Sequence, residues 1–251
     1  MAPRSRRPER RQEPLSRERI VTAAVELLDT VGERGLTFRA LAERLATGPG
    51  AIYWHITGKA ELLGAATDAV VAAAVTAEPT GTAEATGTAE ATGTADSPQD
   101  AVRAVALGLF DATEAHPWLA TQLATQLSRT PWGAVAPRIF ESLGRQVRAM
   151  GVPEAHWFTA TSALMHYILG AAGQNAVNSA SAASAGPSGR HVDRDEFLGT
   201  VSTAWEGLDP HEYPFTRAVA DQVRGHDDRE QFLAGISLVL AGIAALHRPA
   251  R

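Results

Sequence analysis

The sequence predicts an all-α protein in two parts, a small three-helix N-terminal unit with a helix-turn-helix and a larger helical bundle behind it. Three observations carry this. Apolar residues recur three and four positions apart through most of the chain, cap residues open the periodic segments while Gly and Pro close them, and no segment alternates as a strand would. With 251 residues and 45% hydrophobic content, the chain can bury a sizeable core.

The elements follow in order. Residues 1–14 hold three prolines and no apolar period, and read as a disordered basic arm. Ser16 caps the first helix, with Leu15 and Ile20 as a hydrophobic staple, Ile20, Ala24, Leu27, Leu28 and Val31 as the inner face, and Gly32 as the stop. Thr37 caps a short second helix with Phe38, Leu41 and Leu45 on its inner face. Ala46, Thr47 and Gly48 break the period, and Pro49 opens a third helix reaching about His55. A fourth begins near Lys59 and runs towards Glu78. Residues 79–97 carry an imperfect six-residue Thr-Gly-Thr-Ala-Glu-Ala repeat that contains no large apolar residue, so they read as a flexible linker.

Beyond Pro98 helices are expected over 101–115, 117–127, 137–150 and 154–177, then a Ser/Ala/Gly-rich mobile loop over 178–191. Helical segments at 193–205 and 215–223 precede a strong last helix at 229–247, capped by Asp228 with Gln231 three residues on. These assign residues 15–62 to one domain and 63–251 to the other.

Composition narrows function. No cysteine is present, which excludes disulfides, thiolate zinc sites and cysteine nucleophiles. Apolar runs such as Ala69 to Val75 are too short to span a bilayer, and no signal-peptide core follows the Arg-rich start, so a soluble, cytoplasmic protein with no membrane partner is expected. The net charge of −5 hides an asymmetry: up to Leu62 there are 11 basic against 8 acidic residues, and beyond it 12 against 20. A basic head on an acidic body suits contact with a polyanion, although a basic tail by itself is equally read as a solvated one. No His-Glu-x-x-His pair, Gly-rich phosphate loop or nucleophile elbow occurs, so no enzyme, metal or cofactor is expected.

Residues Thr37 to His55 have the spacing of a helix-turn-helix, whose second helix enters a DNA major groove while the first crosses the backbone. Ala42 and Ile52 supply the small and aliphatic residues that let the two helices pack closely. The text Leu36-Thr37-Phe38-Arg39-Ala40-Leu41-Ala42-Glu43-Arg44-Leu45, then Ala51-Ile52-Tyr53-Trp54-His55-Ile56 and Lys59-Ala60-Glu61-Leu62-Leu63, resembles the Tet repressor (TetR) family of bacterial regulators. The Tyr-Trp-His triplet is similar to the Tet repressor's own subgroup. Further on, His116-Pro117-Trp118, Tyr213-Pro214 and the Phe232 to Ile243 pattern look like its C-terminal domain.

The resemblance implies a DNA-binding repressor, released from a palindromic operator by a small-molecule effector. It makes Arg39 a base or phosphate contact, Tyr53 and His55 recognition-helix contacts, and Lys59 a phosphate contact at the start of helix four. Thr37, Gly50 and Ala51 complete the expected DNA-facing set. Packing for Tyr53 and a helix C-cap for His55 stay open as alternatives, and Trp54 is expected to pack between helices three and four. Pro49, Gly50 and Ala51 depart from the Tet repressor, whose side chains there read bases; Ala51 can still touch a thymine methyl. A second reading therefore keeps the protein as a helical ligand-binding module whose head no longer reads sequence.

For the effector, His116, Trp118, Trp157, His166 and Tyr167 lie on segments expected to line the bundle. A homodimer is expected through 154–177 and 229–247, where Gly170, Ala171, Gly235, Ala241 and Gly242 permit close helix approach.

Overall fold

The computed structural model describes residues 14–76, 97–184 and 194–246, and among them every regular element is helical. Most of the N-terminal arm, nearly all of the repeat and the end of the loop before residue 194 lie outside the described residues. The chain divides within its fourth helix, between Ala66 and Thr67, into two compact units.

In the first unit, α1 (Arg17–Gly35) is capped by the Ser16 hydroxyl, which accepts from the Arg19 amide at 3.2 Å. The helical assignment runs through Gly35, yet Gly32 takes φ +67°, ψ −177°, so the regular helix breaks at the glycine that signals its stop. Helix α2 (Phe38–Arg44) is capped by Thr37, whose hydroxyl accepts from Ala40 N at 3.1 Å. Helix α3 (Pro49–Tyr53) carries proline in its first turn, and α4 (Lys59–Thr76) follows. Ile20, Ala24, Leu28, Leu36, Leu41, Ala42, Ile52, Ile56 and Leu62 are almost wholly buried and make the core. Burying side chains of this size stabilises by about 1.5–3 kcal/mol each, which a five-residue helix needs because it cannot persist alone.

The second unit surrounds α8 (Trp157–Ser184), preceded by a 3-10 turn at Glu154–His156. Around it lie α5 (Pro98–Ala115), α6 (Leu119–Arg129), α7 (Val135–Ala149) and α12 (Asp228–Leu246). Phe110, Leu109, Ile139, Leu143, Leu164, Ile168, Phe232 and Ile236 fill the interior, with the Phe110 and Phe232 rings 4.7 Å apart. Arg138 on α7 holds Asp68 on α4 through two hydrogen bonds of 2.8 and 3.1 Å. The remaining helices, α9 (Arg194–Glu206), α10 (Pro214–Ala218) and α11 (Ala220–Arg224), pack mostly on one another.

Two expectations need correction here. Helix α8 continues to Ser184, through part of the segment read as mobile, because Asn178 to Ser184 holds neither Gly nor Pro and includes alanines that favour helix. At the start of α12, Asp227 rather than Asp228 is the cap, its carboxylate accepting from Glu230 N at 2.8 Å. Asp228 instead pairs with Arg194 and His226.

Candidate nucleic-acid interface

The turn between α2 and α3 sets the geometry of the first unit. Thr47 N donates to Ala42 O at 2.9 Å and Ala46 N to Glu43 O at 3.2 Å, the paired bonds of a Schellman ending. Such an ending needs a left-handed residue at Ala46, and its φ is +51°. Glycine normally stands there, so the bend is held against the intrinsic preference of alanine. Arg44 fixes α2 on α1 by two bonds to Glu26 Oε2, at 2.8 and 2.6 Å.

The Tyr53 ring stacks on Phe38 with centroids 4.5 Å apart and planes 2° from parallel, so the C-terminal end of α3 lies against the start of α2. Thr37 and Arg39 flank that stack in sequence, and both are exposed. Arg39 presents a side chain 88% exposed, paired with Glu43 one turn on. Thr37 already spends its hydroxyl oxygen as a cap, which leaves its O–H free to donate. Tyr53 thus packs by one face, while 53% of the residue remains exposed. Gly50 is exposed, and a Cβ built there would meet nothing within 4 Å; Ala51 is half-buried behind it.

Trp54 overturns its expectation. It is 89% exposed and does not pack between α3 and α4, because the interior beneath is already filled by Ile52 and Ile56. Periodicity could have found this: Trp54 lies two residues from each of those buried isoleucines, on the opposite side of a short helical turn.

Lys59, in the first turn of α4, donates to the Glu33 carbonyl at 2.6 Å and caps the end of α1 while remaining exposed. His55 is half-buried, and its carbonyl, at the unfinished end of α3, accepts from Arg17 Nη1 at 2.8 Å. Arg17 also pairs with Glu61 at 2.7 Å, and Glu61 accepts from Thr57 N at 2.8 Å and from Thr57 Oγ1 at 2.7 Å. The Thr57 amide, then Arg17 and the Thr57 hydroxyl, hold the Glu61 carboxyl down at about 2. Neither Arg17 nor Glu61 was singled out by sequence reasoning, which had no signal linking positions 44 residues apart.

In the second unit the five expected effector contacts are not gathered in one cluster, although His116 and Trp118 are neighbours. His116 ends α5 and its ring lies 5.8 Å from that of buried Trp118. Trp157 donates Nε1 to Val152 O at 2.6 Å and receives the Arg148 guanidinium over its ring at 5.6 Å, closing the turn before α8. Tyr167 donates to Phe232 O at 3.1 Å, and its hydroxyl occupies the space a Cβ on Gly235 would need. His166 is exposed. Trp157 and Tyr167 are ten residues of helix apart, about 15 Å, so they do not line one small cavity.

Sequence reasoning missed a different polar group. Asn175 on α8 is 5% exposed and donates to Glu114 Oε1 at 3.0 Å, which fixes the orientation of its amide and leaves buried Oδ1 without a donor among the described residues. A groove of about 530 Å³ runs between α6 and α8, bordered by Thr121, Thr125, Arg129, Gly173 and Val177 among others. Among the described residues no cluster of His, Asp and Glu could hold a metal ion, and no helix is long and apolar enough to cross a membrane.

Comparison with known proteins matches these units. Residues 20–66 match the family of bacterial regulatory proteins, tetR family, and residues 92–247 match the tetracyclin repressor-like C-terminal domain. The solved structure of the transcriptional regulator SCO7222, a TetR from Streptomyces coelicolor, is 82% identical, with a TM-score of 0.80 over 94% of this chain and 100% of that one. The transcriptional repressor DrrR1 of Streptomyces coeruleorubidus is 26% identical over 96% of this chain and 82% of its own. ActR of Streptomyces coelicolor, solved in complex with actinorhodin, shares the fold at 22% identity and TM-score 0.66, over 93% of this chain and 98% of its own.

Proposed function

Because the chain belongs to the Tet repressor family of bacterial transcriptional regulators, we propose that it is a homodimeric repressor released from a palindromic operator by a small-molecule effector. The observation that carries the DNA half is the exposed set around the Phe38–Tyr53 stack. In this reading Thr37, Arg39 and Lys59 take phosphates, Lys59 leaving the Glu33 carbonyl to do so. Tyr53, Trp54 and His55 face base edges, and the bare Gly50–Ala51 surface lets the backbone approach closely.

Dimerisation is supported by the second unit. Beyond its charged first turn, helix α12 is apolar almost all round: Phe232, Ile236, Leu240 and Ile243 are buried, while Ala234, Leu238, Ala241 and Ala245 are exposed, Leu238 at 75%. An all-round apolar helix needs a second cover, and Gly170 and Gly242, where an added Cβ would meet nothing within 4 Å, leave room for one. Gly235 of the same expected set is already used within the subunit, by Tyr167. A two-fold arrangement suits two half-sites about 34–36 Å apart.

For the effector, ActR is a relative in fold with a bound ligand, and Asn175 offers a buried acceptor for a ligand donor. A protein that acts on operator DNA works in the cytoplasm, by binding rather than by chemistry. The test is in vitro selection from random DNA duplexes, followed by mobility shift on the DNA flanking the protein's own gene. Enrichment of a palindrome that recurs in that flanking DNA supports the reading, whereas binding without sequence preference defeats it.

A further inference from the structure

We infer that Arg17 is a positioning residue for sequence discrimination: from the start of α1 it locks the C-terminal end of the recognition helix α3 and the first turn of α4 in one orientation. The inference rests on the DNA-binding reading above. Arg17 sits on the best-anchored element of the first unit, one residue after the Ser16 cap and three before Ile20, which is fully buried. One of its nitrogens, Nη1, donates both to His55 O at 2.8 Å and to Glu61 Oε1 at 2.7 Å. The second oxygen of Glu61 accepts from Thr57 N and Thr57 Oγ1. A single guanidinium–carboxylate pair thus joins three segments, α1, the α3–α4 corner and α4.

The acceptor explains why this matters for recognition. Helix α3 has five residues; its Ile52 carbonyl accepts from His55 N and Ile56 N in the turn that follows, whereas the His55 carbonyl, two residues past the helix, takes a donor from another element. Arg17 is that donor, directly after Tyr53 and Trp54, so it holds the stretch of backbone from which those two rings project. The pair is 49% and 34% exposed, and pairs this open contribute little to stability. Its effect is therefore on orientation, and it is read in discrimination rather than in folding. A phosphate contact by the same arginine would behave differently, lowering affinity for every sequence and flattening the salt dependence.

The experiment uses the full chain. Wild type selects its preferred duplex from a random library, and affinities for that duplex and a scrambled one are measured by fluorescence anisotropy across a salt series. Arg17→Met, Arg17→Lys, Glu61→Gln and the Arg17→Met/Glu61→Gln double variant are compared, with circular dichroism as the control for folding. The expected result for Arg17→Met is a roughly tenfold loss of discrimination, comparable to losing one base contact, with an unchanged salt slope. Arg17→Lys, able to keep one of the two bonds, recovers part of it, and adding Glu61→Gln to Arg17→Met costs no more. Should Arg17→Met fail to fold, Arg17→Lys and Glu61→Gln each remove part of the lock and carry the same expectation. A slope reduced by about one unit with discrimination intact makes Arg17 a phosphate contact and overturns the inference. Discrimination equal to wild type in all variants overturns it too. If wild type enriches no sequence, the DNA-binding reading itself falls, and this inference with it.

Discussion

Gly108→Ala tests the packing of α4 on α5. A Cβ built on Gly108 would lie 2.0 Å from Ala74 O, with Ala74 C at 3.0 Å. The obstacle is backbone, so no rotamer change relieves it; an ordinary C···O contact is about 3.3 Å, and the two helices must part by more than about 1 Å. Two terms compete. Alanine is favoured over glycine within a helix by about 1 kcal/mol, whereas overpacking a rigid contact costs about 1–3 kcal/mol. With buried Val71, Val105, Ala106 and Leu109 close by in sequence, the cost falls at the upper end, for a net loss of about 2 kcal/mol. For a chain of this size that lowers the melting temperature by roughly 4–8 °C. Gly199→Ala is the control: it lies within α9 with nothing inside 4 Å of its Cβ position, so propensity acts alone and the melting temperature rises by about 2–4 °C. Calorimetry of both variants decides the matter. A Gly108→Ala protein melting at or above wild type refutes the packing argument.

Ala46→Gly should stabilise the first unit by about 0.5–1 kcal/mol in urea unfolding, because it relieves the left-handed strain and the exposed methyl contributes no packing; a less stable variant would count against the Schellman geometry. Lys59→Ala should weaken binding to preferred and scrambled DNA alike and lower the salt slope by about one, while Tyr53→Ala should mainly lose preference between them. Equal losses on random sequence in both would invert the roles assigned. Glu61 is held at about 2 against an ordinary 4.5, foremost by the Thr57 amide and less by Arg17, so its contribution to stability is present above 4.5 and is lost as pH falls towards 2. Glu61→Gln should accordingly flatten the acid limb of the unfolding curve across that window, and an unchanged limb would show that the carboxylate is not bound this way.

The parts of the fold that local chemistry decides were legible. Ser16 and Thr37 as caps, Gly32 as a stop and Pro49 in a first turn each depend on a few neighbouring residues, and each holds its expected place. What failed depends on distant neighbours. Trp54 was assigned to the core on its size, but the interior was already taken by Ile52 and Ile56. The histidines and aromatics of the body were grouped because most lie on segments expected to line a helical bundle, and local pattern cannot say which of them meet. Trp157 and Tyr167 instead spend their polar atoms on Val152 and Phe232 carbonyls. Asn175 carried no sequence signal at all, since an asparagine in a run of Ala, Gly and Asn reads as a solvent-facing residue. Its partner in the interior, Glu114, is 61 positions away.

The composition of the recognition helix leads to a last prediction. Pro49, Gly50 and Ala51 hold no side-chain donor or acceptor, and Ile52 is committed to the core, so four of the five residues of α3 cannot read a base by hydrogen bonds. What the helix and its following turn present is a half-buried methyl, an exposed indole and one exposed phenol: Ala51, Trp54 and Tyr53. The base feature that answers an apolar surface in the major groove is the thymine C5-methyl group. Discrimination should therefore depend on thymine methyls more than on guanine acceptors. Replacing thymine by deoxyuridine, one position at a time in the selected duplex, removes only that methyl and leaves pairing intact. At one or two positions per half-site the affinity should fall by roughly three- to tenfold, about 0.7–1.4 kcal/mol, near the value of one buried methylene. Trp54→Ala should abolish the sensitivity at one of them. If no deoxyuridine substitution changes affinity, while 7-deazaguanine, which lacks the N7 acceptor, does, then Arg39 or His55 reads guanine and the apolar face is only a spacer.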